Sequence, residues 1–473
     1  MAQRGISAAE RPADFASRHF GGLDLGDRRL TRRAVAVAGA IAASPEASIP
    51  RQCGDAHQAK GAYRLFDHPA VTSDSISRHH RSLTLCSLRE HQVVYLLQDT
   101  TTLSFGPTRR GLGPVGADEV VQGLLMHSTL AITPGESGVV LGLADLKLWA
   151  RGPVRRGEAK ENRRAREDRE SLRWQESIRA VGAPPTGAQW IHVGDREADV
   201  WETFRAATEV GSDCVVRACG AAARRKVALG HPDEPPARGE AGTLEVLARG
   251  LPQAGACEAV RHARPGQPRR TLRLRVSFSP MTMLPPRLLP AGEPPLRVWV
   301  VRAWEEETGL RGEPAAEWVI VTTLPVLDVK DALRVVDIYR HRWTIEEYHK
   351  CLKTGCRVEE RQLRDGTRLD PLAALLAIVA LRLLNLKKLA KLTPEAPAIE
   401  AVPAEYVRAL SKLRGIPESE LTCRRFWRET ARLGGFLARN SDGDPGWKTL
   451  WLGWHDLELL VRGAALGDPP SCG

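Results

Sequence analysis

Seven short apolar runs, separated by longer stretches with helical spacing, constrain the fold of this chain more than any other feature of its sequence. The runs are rich in Val, Ile, Leu and aromatic residues, which favours β-strands. Strands that alternate with helices are typical of an α/β fold built on a central sheet. The runs are Val93 to Gln98, Gly123 to Ile132, Val139 to Ala150, Trp190 to Gly194, Cys214 to Arg217, Leu296 to Ala303 and Trp318 to Thr322.

The rest of the chain divides into three further parts. Residues 1–75 have a helical pattern, with a clear helix from Leu30 to Ala43. From about residue 220 to 312 the chain is rich in Pro, Gly and Arg, and the alternating run Leu272 to Val276 predicts an inserted β subdomain there. The pattern over 371–473 is again helical. We therefore expect helical domains over 1–75 and 371–473 on either side of an α/β domain over 76–370.

Charge and cysteine usage narrow the class of protein. The chain has 68 Lys+Arg against 57 Asp+Glu, a formal net charge of +11. This excludes an acidic solvating protein, and the Arg content suits a nucleic-acid partner. Nine scattered cysteines without a CxxC pair predict neither a zinc site nor a disulfide framework. Met1 to Phe15 lacks the apolar core of a secretory signal, and the apolar run Leu372 to Leu381 predicts a buried helix.

Three groups of basic residues are candidates for DNA contact. Four arginines crowd the start of the first clear helix, at positions 28, 29, 32 and 33. Arg151 to Arg173 holds nine Lys or Arg against five acids, and Arg261 to Arg275 holds six Arg and no acid. The first group could instead be a solvated helix face, and the second an exposed helix with i,i+4 ion pairs. The overall charge favours DNA contact for the first, and the second remains open.

Two of the predicted strands end in an aspartate. Asp99 follows the run that begins at Val93, and Asp195 follows the run that begins at Trp190. Phosphodiester chemistry with Mg²⁺ needs carboxylates that converge on two ions, and strand ends hold such side chains rigidly beside an open loop. Each aspartate could equally be a turn former or a helix N-cap, which is a common role for Asp at a strand end.

A third candidate acid lies on a helix that we predict from Asp331 through Lys353, ending at Gly355. At roughly 100° per residue, four side chains of this helix form a stripe about 60° wide. They are Tyr339, Arg342, Glu346 and Lys353. A carboxylate flanked by Arg, Lys and a phenol fits a metal ligand surrounded by phosphate-binding groups. The alternative is an ordinary surface ion pair between Arg342 and Glu346.

The spacing of these four residues resembles the YREK signature of the IS-four family of bacterial DDE transposases. Other segments resemble further blocks of that family in the same order along the chain. Asp99 to Thr101 is similar to the first catalytic block, Asp195 to Asp199 to the second and Asp337 to Gly355 to the third. Segments that resemble the family's DNA-binding domain and dimerisation helices are Leu25 to Arg29, Gly61 to Arg64, and Ala431 to Phe436 with Trp447, Trp451 and Trp454.

The resemblance implies an RNase H-like catalytic core that uses two Mg²⁺ ions, for which Mn²⁺ could substitute. The implied catalytic residues and metal ligands are Asp99, Asp195 and Glu346. Trp318 is expected to stack on a base that is flipped out of the duplex. The implied DNA-binding residues are Tyr339, Arg342, Lys353, Trp318, Arg217, Arg28, Arg29 and Arg64. The chain departs from the family pattern shortly after Arg217, where Cys219 replaces an expected basic residue.

The function implied by the resemblance is cut-and-paste transposition by a homodimer that binds transposon-end DNA and target DNA in the bacterial cytoplasm, at the nucleoid. Cleavage would pass through a DNA hairpin before the 3′ ends are joined to the target. One alternative is a catalytically silent DNA-binding remnant or inhibitor of transposition, which the three intact acids argue against. Another is a nuclease of the same fold that cuts without joining, which Trp318 and the Tyr339 to Lys353 group argue against.

Overall fold

The fold is given by a computed structural model of the full chain, which describes residues 10–116, 120–135, 138–152, 157, 162, 166, 169–219, 225–230, 241–261, 270–286, 293–306, 315–439 and 442–467. Most of the basic stretch 151–173 and the centre of the stretch 261–275 lie outside these residues. In the described part of the first stretch, Arg151 pairs with Glu170 and Arg173 pairs with Glu176. These contacts agree with an ion-paired surface there.

Five helices form the N-terminal part of the chain. Three of these helices begin at a side-chain cap, because Asp27, Asp55 and Thr72 each accept a hydrogen bond from a backbone N–H in the first helical turn. The apolar faces of the five helices converge on a shared core that includes Phe15 and Phe20, both fully buried. The helices are α1 (Pro12–Phe20), α2 (Arg28–Ala43), α3 (Ile49–Cys53), α4 (Ala56–Phe66) and α5 (Ser73–Leu88).

A single mixed sheet follows, and all seven predicted apolar runs are strands of it. Its path is β2-β3-β1-β5-β6-β12-β11-β10-β7-β8, with β4 paired to β3 and β9 paired to β10. The strands are β1 (Val93–Ser104), β2 (Gly113–Pro114), β3 (Gln122–Ile132), β4 (Val140–Trp149), β5 (Gln189–Gly194), β6 (Asp213–Arg217), β7 (Lys226–Leu229), β8 (Ala241–Thr243), β9 (Gly255–Arg261), β10 (Arg270–Met283), β11 (Leu296–Trp304) and β12 (Glu317–Thr322).

Strand direction divides the sheet into two parts. β4, β3 and β1 are antiparallel neighbours, whereas β1, β5 and β6 run parallel. β12 pairs with β6 in the antiparallel sense and continues the sheet into β11 and β10. The chain between β6 and β12 therefore extends the central sheet edge to edge.

The two faces of the sheet are covered by different helices. On one face, Tyr95 and Leu97 of β1 join the large core that also contains the C-terminal helices. On the other face, Trp174 and Phe204 belong to α6 (Arg173–Val181) and α7 (Trp201–Val210), and they pack with side chains of β6, β11 and β12. A short helix, α8 (Leu244–Gly250), packs beside β8.

The predicted single helix from Asp331 to Lys353 is wrong, because the structure breaks it into three pieces. They are α9 (Val329–Arg340), α10 (Trp343–Lys350) and a π-helical turn at Cys351–Gly355. Between α9 and α10, the N–H groups of His341 and Arg342 bond to the third residue back instead of the fourth. The His341 ring also packs 5.3 Å from the Tyr95 ring, which anchors the break on β1.

The C-terminal helices surround one buried helix, α11 (Gly366–Leu392). Its segment Gly366–Leu386 is long and apolar enough to cross a membrane, but 94% of it is buried within the protein, as expected for a core helix. Arg382 of α11 donates hydrogen bonds to the carbonyls of Ala42 and Glu10, so α11 is tied to the N-terminal helices. The remaining helices are α12 (Ala404–Arg414), α13 (Cys423–Leu433) and α14 (Trp447–Gly467).

Two buried histidines join the N-terminal helices to the sheet. The Leu143 N–H of β4 donates to Nε2 of His80, 3.0 Å away, and Nδ1 of His80 lies 3.0 Å from Nδ1 of His19. Because Nε2 of His80 accepts, the proton of His80 is on Nδ1 and is donated to His19. Burial lowers the pKa of His19 to about 2 and that of His80 to about 3, so both rings are neutral.

Candidate active site

The register of two neighbouring strands brings Asp99 and Asp195 to the same level of the sheet. β1 and β5 are parallel, and their ladder ends at the pair Leu97 and Val193. Asp99 and Asp195 each lie two residues beyond that pair. The expectation that the first strand ends at Asp99 is wrong, since β1 continues to Ser104 through pairing with β3, where Asp99 faces Ser128. Only the pairing with β5 ends before Asp99.

Both carboxylate oxygens of Asp99 lie near donors of the protein itself. The Thr100 N–H donates to Oδ1 at 2.9 Å. On the other side, Nδ1 of His349 lies 3.5 Å from Oδ2. His349 is buried on α10, one turn after Glu346, and its Nε2 has no hydrogen-bond partner among the described residues. Sequence analysis did not select His349, because a histidine one turn from an acid has no signal until the helix is docked on β1.

Asp195 begins a 3₁₀ turn, Arg196–Ala198, and its Oδ1 accepts from the Glu197 N–H at 2.8 Å. The helix-cap alternative is therefore present in the structure. Burial raises the pKa of Asp195, and the nearby charge of Asp99 adds to the shift. Burial likewise raises the pKa of Glu197, with Asp195 and Asp99 adding to it. Neighbouring carboxylates repel each other when both are ionised, and a bound cation would relieve this repulsion.

Glu346 begins a row of contacts that ends at Trp318 on β12. Arg342 donates to Oε1 of Glu346 at 2.5 Å, and the Arg342 guanidinium lies 5.8 Å from the centre of the Tyr339 ring. The Tyr339 ring in turn meets the half-buried Trp318 edge to face at 5.7 Å. Three of the four predicted stripe residues are thus adjacent. Lys353 is not in this row, because the π turn displaces it toward Glu359, whose Oε1 lies 3.8 Å from Nζ.

The donor set suits a divalent metal, although its members are not gathered around one point. Within the described ranges, no group of three or more His, Cys, Asp or Glu side chains lies close enough to hold a metal ion. Asp99 and Asp195 are near enough to act on each other's charge, and the charge of Asp99 also acts on Arg342. Glu346 is instead bound by Arg342. The carboxylate oxygens have the hard character that Mg²⁺ prefers, so the residues fit the metal chemically.

The other predicted DNA-binding residues fall into two places. Arg217 at the end of β6 hydrogen-bonds Tyr339 and donates to the Glu317 carbonyl at 2.9 Å, and burial lowers the pKa of Arg217. It therefore belongs to the row beside the acids. The others are exposed on the N-terminal helices and contact none of the three acids; they are Arg28, Arg29 and Arg64.

Comparison with protein families gives three matches in one order along the chain. A model described as transposase DNA-binding matches residues 12–71, one described as transposase DDE domain matches 146–382, and one described as transposase Tn5 dimerisation domain matches 378–469. The DDE model alone covers half of the chain. The chain belongs to the DDE transposases. It is accordingly a metal-dependent DNA nuclease and strand transferase, with an N-terminal DNA-binding domain, a central DDE domain and a C-terminal dimerisation domain.

The match to the DDE domain begins at residue 146, after β1 and β3 of the transposase. It includes Asp195 and Glu346 but not Asp99. The position of Asp99 in the site therefore depends on the structure, through the register of β1 with β5 and the contact with His349.

A basic cleft of the transposase combines two segments that are far apart in sequence. The loop after β1 supplies Arg109 and Arg110, and the chain around the start of α11 supplies Arg364 and Arg368, around a cavity of about 730 Å³. The segments meet backbone to backbone, since the Gly366 N–H donates to the Arg110 carbonyl at 2.8 Å. We call these four residues the arginine cleft. Sequence analysis missed the arginine cleft, because neither segment stands out in charge alone.

The tryptophans that resembled the dimerisation helices lie inside the protomer. Trp454 stacks on Tyr406 at 4.6 Å, and Trp451 Nε1 donates to Glu46 at 3.2 Å. The exposed apolar side chains of this region are different ones. Leu437, Leu452, Leu459 and Leu460 are 41–64% exposed, and the last three lie on α14. Exposed apolar side chains of this kind are available for contact with another protein surface.

Proposed function

We propose that this transposase moves its element by cut and paste, and that Asp99, Asp195 and Glu346 are its catalytic residues and the ligands of two Mg²⁺ ions. The observation that carries the proposal is the end of the β1–β5 ladder. It leaves Asp99 and Asp195 side by side at the point where the parallel strands separate, while α10 lies against β1 through His349 and carries Glu346 one turn earlier.

The chemistry consists of in-line displacements at phosphorus. Water first breaks one strand at the element boundary, and the freed 3′ hydroxyl then attacks the opposite strand to give a hairpin. A second water opens the hairpin, and the 3′ hydroxyl attacks the target DNA, so that each step forms one P–O bond and breaks another. The bound metal pair supplies activation of the attacking oxygen and stabilisation of the leaving oxygen.

The row beside the acids is suited to distorted DNA. Tyr339, Arg342 and Arg217 place a phenol and two guanidinium groups together, which fits contacts to phosphates near the cleaved bond. Lys353 supports the same role from the π turn. Trp318 is half-buried at the end of this row, where a flipped base could stack on its open side.

The DNA duplex is proposed to extend from the acids across two further basic surfaces. The first is the arginine cleft, whose Arg109 and Arg110 follow the end of β1 at Ser104. The Ser104 N–H donates to Glu359, which also lies near Lys353. The second is formed by Arg28, Arg29 and Arg64. Arg28 and Arg29 lie in the first turn of α2, a turn without acids, where the helix dipole disfavours cations. Basic side chains at this position do not stabilise the helix, and they are suited to binding a phosphate group instead.

The architecture supports an RNase H-like core. Its strands would be β4-β3-β1-β5-β6, three antiparallel followed by two parallel. The strands β7 to β11 would form the inserted subdomain at about 220–312, within a catalytic domain over 76–370 between helical domains over 1–75 and 371–473. We further propose a homodimeric synaptic complex in which each subunit cuts the end bound mainly by its partner, in the bacterial cytoplasm at the nucleoid.

The proposal is tested by Mg²⁺-dependent cleavage of a DNA fragment that carries the inverted repeats flanking the gene. Wild type is compared with Glu346→Ala and with Glu360→Gln, a matched control in an exposed ion pair with Arg357. We expect nicks and hairpins on a denaturing gel from wild type and from Glu360→Gln, and none from Glu346→Ala. Linear ends without hairpins would overturn the hairpin step.

Specific binding without cleavage in either Mg²⁺ or Mn²⁺ would overturn the proposed activity. It would favour the catalytically silent DNA-binding protein instead. This second function is favoured by the ion pair with Arg342, which occupies Glu346 and keeps it from acting as a metal ligand.

A further inference from the structure

A chain of buried polar side chains lies on the face of the sheet opposite to Asp99. Gln98 and Thr100 flank Asp99 in β1, and neighbouring residues of a strand point to opposite faces. Gln98 meets His192 of β5 on one side and His127 of β3 on the other. Gln98, His127 and His192 are each at most 2% exposed. We call Thr100, His127, Gln98 and His192 the Gln98 relay.

The hydrogen bonds of the Gln98 relay cross three strands. Thr100 Oγ1 lies 2.8 Å from Nδ1 of His127, and Nε2 of His127 lies 3.2 Å from Oε1 of Gln98. Nε2 of Gln98 lies 2.8 Å from Nδ1 of His192. Each link has one donor and one acceptor, so the proton positions follow. Thr100 donates to His127, His127 donates from Nε2 to Gln98, and Gln98 donates to His192.

Both histidines of the Gln98 relay are neutral in this arrangement. Burial lowers the pKa of His127 and that of His192 to about 3. A charged His192 would be a donor at both nitrogens and would break its link to the Gln98 amide N–H. His192 Nε2 is left as a buried N–H without a partner among the described residues. The relay is therefore held together at neutral pH, at the expense of one unsatisfied donor.

The Gln98 relay crosses the sheet next to the point where the pairing of β1 with β5 ends. The backbone ladder between β1 and β5 ends at Leu97 and Val193, just before the two aspartates. The Gln98 to His192 hydrogen bond is a side-chain tie between these strands next to that end. Earlier in β1 the same face carries the apolar side chains of Val94 and Leu96. Apolar side chains pack there without a directional bond, so burial alone does not require polar groups at this level.

We propose that the Gln98 relay is a positioning device that sets the separation of Asp99 and Asp195 where the backbone ladder no longer does. The inference rests on the proposed function of these two aspartates. Gln98 precedes Asp99 directly, and His192 lies three residues before Asp195, so the tie acts on the two strands that carry the carboxylates. Displacement of a reacting group by about 1 Å can cost on the order of a hundredfold in rate.

The decisive variant is Gln98→Met, which keeps the length of the side chain and removes both of its links. His127→Gln is the conservative variant, since an amide retains one donor and one acceptor. Thr282→Val is the matched control, because it removes a hydrogen bond from a buried threonine on β10, which is not next to β1 or β5 in the sheet. The readouts are single-turnover nicking at saturating DNA, DNA affinity, and Mn²⁺ titration of the DNA-free protein.

We expect Gln98→Met to nick about tenfold to a hundredfold more slowly at saturating DNA, with DNA affinity within twofold of wild type. Its affinity for Mn²⁺ should fall at least threefold, as a rough expectation for displaced ligands. His127→Gln should recover most of the rate, and Thr282→Val should match wild type in both nicking and Mn²⁺ affinity. His127→Leu, which breaks the relay from the β3 side, replaces Gln98→Met if the latter does not fold.

Two results would overturn the inference. One is wild-type nicking and Mn²⁺ affinity in Gln98→Met while Asp99→Asn and Asp195→Asn are inactive, which would leave the proposed function intact. The other is an equal loss in Gln98→Met and Thr282→Val, which would reduce the Gln98 relay to ordinary stability. Full cleavage by Asp99→Asn or Asp195→Asn would instead show that the proposed function itself is wrong.

Discussion

Arg342 donates a 2.5 Å hydrogen bond to Glu346 across the first turn of α10, so a proposed phosphate-binding group and a proposed metal ligand neutralise each other. Burial alone would lower the pKa of Arg342, but its interactions with Tyr339 and Glu346 outweigh that effect and the net shift is upward. A DNA phosphate would compete with Glu346 for this guanidinium. Binding of DNA would then release Glu346 toward Asp99 and Asp195.

The first prediction concerns metal affinity in the absence of DNA. Arg342→Gln removes the cation from Glu346, and we expect Mn²⁺ to bind about tenfold more tightly, a change of about 1.4 kcal/mol. Cleavage should fall in the same variant, because a phosphate contact is lost. Isothermal titration calorimetry measures the affinity, with Arg357→Gln as a control that breaks the exposed Arg357–Glu360 pair. Unchanged Mn²⁺ affinity in Arg342→Gln would refute this coupling.

The second prediction concerns the arginine cleft. Arg110 and Arg364 are exposed, and each is expected to neutralise one phosphate. The double variant Arg110→Ala with Arg364→Ala should make the plot of log K against log salt shallower by about 1.8, since each phosphate contact contributes about 0.9. Fluorescence anisotropy on transposon-end DNA across a salt series gives the slope. Arg78→Ala, in an exposed pair with Asp74, should leave it unchanged.

The same salt series is repeated on DNA that lacks the transposon ends, to compare phosphate contacts on specific and non-specific DNA. A loss of slope on both DNAs is expected, because backbone contacts carry no sequence information. A slope that is unaltered on either DNA would show that the arginine cleft does not touch the duplex there.

The third prediction concerns acid stability. His19 and His80 have pKa values of about 2 and about 3 in the folded protein, below the value of an unfolded histidine. The unfolded chain therefore binds more protons as pH falls below about 6.5, and each histidine removes about 1.4 kcal/mol of stability per pH unit below that point. The positive charges of Arg18 and Arg382 disfavour protonation of His19 further.

Urea unfolding at pH 7, 6 and 5 tests this sign. The double variant His19→Phe with His80→Leu should lose less stability between pH 6 and pH 5 than wild type does, even if it is less stable at pH 7. Equal losses in the two proteins would mean that these rings already carry charge in the folded state.

The fourth prediction concerns the dimer. Leu452 and Leu459 lie two helical turns apart on α14 and are 41% and 51% exposed. Replacing both with Lys should convert the dimer into a monomer, because each leucine buried at an interface contributes about 1.5–3 kcal/mol and two charges would have to be buried instead. Analytical ultracentrifugation gives the mass. Leu327→Lys, at a leucine that is 75% exposed elsewhere, should stay dimeric.

The strands could be predicted from sequence because their apolar runs are short and bounded by turn residues. All seven are present, and Asp195 follows its strand as expected. The apolar spacing of residues 331–353 continues across His341, so it could not reveal the break between α9 and α10. At the break, the His341 ring packs against the Tyr95 ring, which is distant in sequence. The π turn at Cys351–Gly355 likewise moved Lys353 out of the expected stripe.

Contacts between distant segments account for the parts of the site that the sequence did not reveal. His349 becomes notable only against Asp99, and Arg110 only beside Arg364. The tryptophans of α14 have the composition of an interface, but Trp454 faces Tyr406 of its own chain. Helix packing decides which apolar residues are buried within a protomer and which remain exposed for a partner. The periodicity of the sequence alone does not determine this.

Helix α11 limits where the chain can be divided into separate domains. The matches to the DDE and dimerisation domains overlap at residues 378–382, inside α11, and the expected boundary at residue 371 also falls inside it. Arg382 holds Ala42 and Glu10 from the same helix. A split, a fusion or a domain exchange made anywhere in Gly366–Leu392 would cut all three domains at once. Engineered junctions belong in the loops on either side.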